Sequence, residues 1–309
     1  MLNVKISELE LELKSPIILA SGILGVSKYT LRNVIEAGAG AVTTKSIGPH
    51  PRKGYKNPSI FEVYPETFIN SVGLANPGVE EFSKKIREIK KLQFPLIVSI
   101  FGDTEDSYVR VAKKVEEAGA DAVELNVSCP HAEVSSIGIS PKLTHSLVRR
   151  VRKEISTPIL VKLNPNVTDI TEIAYAAEKG GADAVVAINT LAAMVIDINV
   201  KRPILSHGSG GLSGRAIHPI AVKKVYDLYK KLTIPIIGCG GIFNYEDIVE
   251  FFLAGASAVQ IGTALYKGTN IITQMNKNLK NYLEINNYTS ISELTGLAHD
   301  YKTQEVPDY

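Results

Sequence analysis

The sequence predicts an α/β fold, a (β/α)8 TIM barrel with an N-terminal β-hairpin and loop insertions at the C-terminal face. Three observations predict it. A proline followed by a β-branched-rich apolar run recurs as SPIILASG at Ser15, FPLIVSIFG at Phe94, TPILVKLNPN at Thr157 and IPIIGCGG at Ile234. A second phrase alternates with it, as AGAGAV at Ala37, AGADAV at Ala118, GGADAV at Gly180 and AGASAV at Ala254. Segments of helical period lie between, among them VEEFSKKIREIKK, SYVRVAKKVEEAG, KLTHSLVRRVRKEI, ITEIAYAAEKGG, AVKKVYDLYKKL and YEDIVEFFLAG.

The opening MLNVKISELELELKS alternates apolar and polar residues, the period of a half-buried hairpin, and lacks the unbroken apolar core of a signal peptide or membrane span. Each proline-led run reads as a buried parallel strand, and so do AVTTKS, AVELNVS, AVVAINT and AVQIGT after the second phrase. Gly38, Gly119, Gly181 and Gly255 fall where helices end and read as C-caps. Eight strands, each trailed by a helix with right-handed crossovers, close a barrel. An open doubly wound sheet is the competing arrangement. It is disfavoured because no G-x-G-x-x-G follows the first strand, and GSGGLSG at 208–214 has the wrong spacing. Nothing reads as a linker, so residues 1–309 form one domain.

With 45% hydrophobic residues, the 309-residue chain can bury a sizeable core. Its 34 basic and 32 acidic side chains leave a net charge of +2, so no global field recruits nucleic acid or an anionic membrane. Two cysteines, Cys129 and Cys239, exclude a disulfide framework and an internal iron–sulfur cluster. They point to a reducing compartment, and the expectation is a soluble, cytoplasmic protein.

Three connections exceed plain turns, roughly 46–78, 130–141 and 191–214, and all leave the carboxyl ends of strands, where such barrels do chemistry. The strand ends gathered there are Ser21-Gly22, Lys45, Ser99, Asn126, Lys162, Asn189-Thr190, Gly240-Gly241 and Gly262-Thr263. GCGGI and QIGTAL expose backbone N–H groups just before helices, as a phosphate cradle does, although glycines also simply make tight turns. A lysine ending a buried strand, as Lys45 and Lys162 do, is a Schiff-base nucleophile, an anion partner, a charge that stabilises electrons on a cofactor, or a snorkelling side chain. With a phosphate cradle across the rim, a phosphorylated, electron-rich ring is the economical ligand. Asn70, Asn126, Asn189 and Thr190 suit a flat, amide-rich partner such as a pyrimidine, whereas Asn76 before Pro77 reads as a turn former.

ELNVSCPH, residues 124–131, runs from an apolar strand into a polar turn holding Cys129. A free thiol has a pKa of about 8.5 and serves as a proton acceptor if it is placed over the substrate carbon. The alternative is a small packing residue, which is the reading given to Cys239.

In order, SPIILASG, TTKSIG, NSVGLANPG, ELNVSCP, VKLNPNVTDI, INT, GGLSG, IIGCGGI and AVQIGTA make the chain resemble the class 1 dihydroorotate dehydrogenases over nearly its whole length. Through INTL to GGLSGRAIHPIA it is most similar to their NAD-linked, two-component branch, as the catalytic FMN subunit. The resemblance implies one FMN per chain and oxidation of dihydroorotate to orotate in pyrimidine biosynthesis. Cys129 would take the proton from C5 while hydride passes from C6 to the flavin. It implies that Lys45, Asn70, Ser71, Val72, Gly73, Leu74, Asn126, Asn189 and Thr190 hold the substrate. FMN would be held by Ser21, Gly22, Lys45, Ser99, Asn126, Lys162, Ile188, Gly214, Gly240, Gly241, Gly262 and Thr263, with Lys162 stabilising the anionic reduced ring. No metal site is expected. A homodimeric core with a separate electron-transfer subunit, bearing FAD and a 2Fe–2S centre, is implied as the route to the oxidant, with direct oxidation by fumarate as the other route.

The chain departs from the family pattern at His131, in the shorter lid that follows it, and at Ser99, where the family often has asparagine. His131 and NPNVTDI resemble the pyrimidine-reducing module of dihydropyrimidine dehydrogenase, so reduction of uracil or thymine is the alternative activity. A Schiff-base lyase or isomerase barrel using Lys162, and a catalytically silent binding barrel, are the remaining alternatives.

Overall fold

The computed structural model describes residues 1–127 and 137–300. Eight strands form its centre: Ile17–Leu19 (β1), Ala41–Thr43 (β2), Leu96–Ile100 (β3), Ala122–Asn126 (β4), Ile159–Lys162 (β5), Ala184–Ala187 (β6), Ile236–Cys239 (β7) and Ala258–Ile261 (β8). They pair in parallel in sequence order, and β8 closes on β1, giving the expected barrel. Outside it run Lys28–Glu36 (α1), Val79–Lys90 (α2), Glu105–Glu117 (α3), Pro141–Arg152 (α4), Ile170–Gly180 (α5), His218–Tyr229 (α6), Tyr245–Ala254 (α7) and Asn270–Ile285 (α8).

The proline phrase has a direct structural cause. Pro16, Pro95, Pro158 and Pro235 each sit at a strand entrance, where the missing N–H is not needed. Each carbonyl accepts a ladder hydrogen bond, from Val259, Val42, Val123 and Val185 respectively, at 2.8–3.2 Å. The AGADAV phrase supplies its partner. Asp121 accepts from Leu96 N–H at 2.8 Å and Asp183 from Ile159 N–H at 2.7 Å, so each carboxylate caps the first free donor after a strand-opening proline. Lys90 neutralises the first and Arg152, at 2.9 Å, the second. Burial nonetheless pushes the Asp183 carboxyl above its ordinary range, against the pull of the Ile159 N–H and Arg152. In the first repeat Ser15 Oγ takes over this work, accepting from Ile17 N–H at 3.2 Å. Position 40 must then be glycine, because a Cβ there would lie 2.1 Å from the Ser15 carbonyl.

The helices end as read. Gly181 and Gly255 cap α5 and α7 in the left-handed conformation, with φ of 98° and 115°. Gly38 and Gly119 lie one residue beyond the C-caps Ala37 and Ala118, also at positive φ. Val4–Ile6 and Leu11–Leu13 pair as the antiparallel opening hairpin, alternately buried and exposed.

The long connections after β2 and β6 are not independent loops. The first forms a hairpin, Ile60–Tyr64 with Thr67–Asn70, and the second contributes Leu191–Ala193 and Gly210–Gly214. Gly210–Gly214 pairs antiparallel with both Leu191–Ala193 and Thr67–Asn70, so the two insertions share one four-stranded sheet. No helix among the described residues is long and apolar enough to cross a membrane.

Asp121→Ala leaves the buried Leu96 N–H without its acceptor and Lys90 without its anion. It is expected to lower the unfolding free energy by about 2–3 kcal/mol in urea titrations; an unchanged midpoint would remove the aspartate from this role.

Candidate active site at the carboxyl-terminal rim

Below the rim, the barrel interior contains a polar chain. Lys162, at the end of β5 and 6% exposed, donates to Gln260 Oε1 of β8 at 2.7 Å and to Cys239 Sγ of β7 at 3.1 Å. Gln260 Nε2 donates onward to Glu124 Oε2 of β4 at 2.8 Å and approaches Thr43 Oγ1 of β2 at 3.4 Å. Glu124 is fully buried, and its Oε1 has no partner among the described residues. One buried cation and one buried carboxylate are thus joined through an amide, which keeps both charges tolerable in the interior. Cys239 is consequently not the inert packing residue expected. It is half-buried and its sulfur accepts from an ammonium.

One layer up, hydroxyls and amides from the ends of five strands meet. Ser46, just past β2, is buried and lies 3.3 Å from Ser21 Oγ and 3.0 Å from Ser99 Oγ, and it accepts from Asn126 Nδ2 at 3.0 Å. Asn126 Oδ1 in turn accepts from Asn189 Nδ2 at 3.4 Å, and Asn189 Oδ1 accepts from Thr190 N–H at 2.8 Å. Ser99 differs from expectation. It lies inside β3 with no exposed surface, and it reaches the rim only through Ser46. In this arrangement Ser99 supports Ser46 from beneath.

The shared insertion sheet brings in the remaining residues. Asn70 pairs with Gly211 and donates to its carbonyl at 3.2 Å, while Thr190 packs so closely that a Cβ on Gly211 would lie 2.1 Å from its Oγ1. Ser71 Oγ is buried without a partner among the described residues. Val72 carbonyl accepts from Tyr55 N–H at 3.1 Å, Gly73 and Leu74 take positive φ, and Tyr55 stacks on His207 of the second insertion, ring centroids 3.7 Å apart. Asn76 is the turn former expected, holding Gly48 and Gly78 N–H with its oxygen. Lys45, two residues past β2, is half-buried, and no described residue pairs with its ammonium; burial lowers its pKa.

The glycines divide by physical cause. Gly240 and Gly241 have positive φ, and a Cβ there would press on Ala221 or on His218 at the start of α6, so helix approach alone requires them. Gly214 is required by the Glu66 carbonyl across the sheet, 2.0 Å from its would-be Cβ. Gly22 faces open space, and Gly262 precedes Thr263–Lys267, a short 3-10 helix with no side-chain cap on its first N–H groups. Ile188 is buried beneath this rim. Two ammonium groups, several amides and uncovered backbone donors suit a flat, anionic ligand and fit an isoalloxazine with its phosphate. Among the described residues no cluster could hold a metal ion.

Sequence reasoning missed Ser46, just past β2, and Glu124 and Gln260, each a single polar residue within an apolar strand. It also missed Asn166, whose side chain donates to Thr190 carbonyl at 3.3 Å and accepts from Ala192 N–H at 2.8 Å, tying the second insertion to the end of β5. Cys129 and His131 lie outside the described residues. Lys162, buried and donating to two acceptors, lacks the accessible free amine that a Schiff-base nucleophile needs.

A family model described as dihydroorotate dehydrogenase matches residues 1–283. The catalytic subunit of dihydroorotate dehydrogenase B (NAD(+)) from Methanocella arvoryzae is 48% identical over 291 residues, 94% of this chain and 95% of that protein. Its counterpart in Pyrococcus furiosus is 48% identical over 300 residues, 96% of this chain and 99% of that one. Among solved structures, a DHODH from Eimeria tenella in complex with ferulenol superposes with a TM-score of 0.83 at 24% identity, covering 97% of this chain and 89% of that one; it attests the fold. With the barrel, the rim and these similarities in agreement, the chain belongs to the dihydroorotate dehydrogenase family.

Proposed function

We propose that this chain oxidises dihydroorotate to orotate in pyrimidine biosynthesis, with FMN seated on the barrel rim. The observation that carries the proposal is Lys45: a half-buried ammonium without a counter-ion among the described residues, on the same rim as Asn70, Asn126, Asn189 and Thr190. A cation held out of water beside neutral amides is what a planar imide bearing a carboxylate requires. Ser71, whose buried hydroxyl lacks a partner, stands on the same loop and offers a further donor, and the backbone of Val72, Gly73 and Leu74 continues that wall.

FMN would be held by Ser21, Gly22, Asn126, Lys162, Ile188 and Gly214, with Gly240, Gly241, Gly262 and Thr263 at its phosphate and Ser99 acting through Ser46. Bound FMN supplies the acceptor for the hydride leaving C6 of the substrate. Lys162 contributes a fixed positive charge that favours added negative charge on the ring. Cys129, three residues past the end of β4, takes the proton from C5.

The electrons then need an exit. The names of the relatives, catalytic subunits of an NAD(+)-linked enzyme, support a separate partner bearing FAD and a 2Fe–2S centre. A second copy of this chain would complete the core, and the exposed Ile196, Ile198 and Val200 on the second insertion favour such a contact.

Dihydroorotate is expected to bleach the flavin of the purified chain anaerobically, while dihydrouracil does not; bleaching by dihydrouracil alone would reassign the substrate. Cys129→Ser is expected to slow that bleaching by about 100-fold or more at neutral pH with FMN retained; equal rates would place the base elsewhere. Lys45→Ala is expected to weaken orotate binding at least about tenfold, measured by flavin difference spectra. In the parent, orotate binding should fall at a pH below the ordinary lysine value, because burial releases the Lys45 proton early. A pH-independent affinity would exclude Lys45 as the carboxylate partner.

A further inference from the structure

The polar chain inside the barrel has a fixed polarity. An ammonium can only donate, so the Gln260 oxygen must face Lys162 and its nitrogen must face Glu124, and the distances of 2.7 and 2.8 Å agree with that orientation. Side-chain amides are free to flip when both neighbours are ambivalent; this one is not. The carboxylate is kept one amide away from the cation. A direct ion pair would cancel much of the positive field reaching the rim, whereas an interposed amide holds the ammonium in place and leaves most of its charge uncompensated. Glu124 is fully buried with a single partnered oxygen, so its charge is not spent on another described cation.

We infer that Gln260 and Glu124 are positioning residues that set the electrostatic effect of Lys162 on the flavin: Gln260 pins the ammonium, and Glu124 tempers its field from a distance. The inference rests on the reading of the rim as a flavin site. It makes the two residues separable, because changing one moves negative charge toward Lys162 and changing the other removes it. Gln260→Glu keeps an acceptor for Lys162 but sets a carboxyl against both Lys162 and Glu124; the two carboxyls hold one proton between them, and the negative charge settles on the group beside the ammonium. Glu124→Gln keeps the volume and an acceptor for the Gln260 amide but deletes the distant charge. A merely structural role predicts no such opposition.

The experiment is sulfite titration and reduction potentiometry of the bound flavin in the parent and the two single variants. Sulfite affinity reports how well the flavin site accepts negative charge. Glu124→Gln is expected to tighten sulfite binding about tenfold, the order of effect expected for deleting one buried unit charge at an effective dielectric of about 20. Gln260→Glu is expected to weaken it by at least as much, with the potential moving in the same sense by about 30 mV per tenfold for a two-electron couple. Shifts of the same sign, or affinities within about twofold of the parent in the conservative Glu124→Gln variant, would overturn the inference while leaving the flavin site intact. A purified parent chain that takes up no flavin would instead overturn the reading of the rim on which it rests.

Discussion

The organising constraint of this molecule is the cost of placing a lysine inside a closed barrel. A parallel barrel of this size is normally plugged with aliphatic side chains, and here Ile18, Ile97, Leu160, Val186 and Ile237, on the inward-facing side of their strands, are fully buried. Lys162 interrupts that packing, and the interior answers with Gln260, Glu124, Thr43 and Cys239, drawn from β8, β4, β2 and β7. None of these would be tolerated alone: an unpaired buried amide or carboxylate costs several kcal/mol. Together they tie five strands at one level and hold a cation just beneath the face where ligands arrive. Stability and chemistry draw on the same side chains.

Above that layer, the site is assembled by elements with little intrinsic structure of their own. The strand ends provide Asn126 and Asn189, but the wall opposite is the insertion sheet, where Asn70 and Gly211 come from segments 141 residues apart. Its registration is fixed by glycine: Gly211 under Thr190 and Gly214 against the Glu66 carbonyl permit approaches no larger residue allows. Arg215 then locks the sheet to the barrel, pairing with Glu66 at 3.1 Å and with Asp247 at 2.8 Å at the start of α7.

The barrel was legible because its repeats are local physics written four times over. Proline at a strand entrance, aspartate on the next strand's threshold and glycine after a helix each solve a hydrogen-bonding problem within a few residues, so they leave a pattern. The rim lysines and asparagines were legible because polar residues ending apolar strands contradict their surroundings. Gln260 and Glu124 were not, since one polar residue within AVQIG or AVELN looks like an ordinary alternation until the barrel closes and sets them side by side. The burial of Ser99 was not legible for the related reason that the exact strand end decides whether a side chain faces solvent or core. The union of the two insertions was invisible because pairing between distant, glycine-rich strands has no short-range signature.

That union carries a consequence for how the protein fails. The barrel's strand pairs are mostly contiguous in order, whereas the sheet over the rim depends on a closure spanning nearly half the chain, whose entropy is recovered only once both anchoring strands stand in place. Mild heat or denaturant should therefore peel the canopy first, erasing recognition while the scaffold beneath survives, so that a preparation with native helical content can already be blind to its substrate.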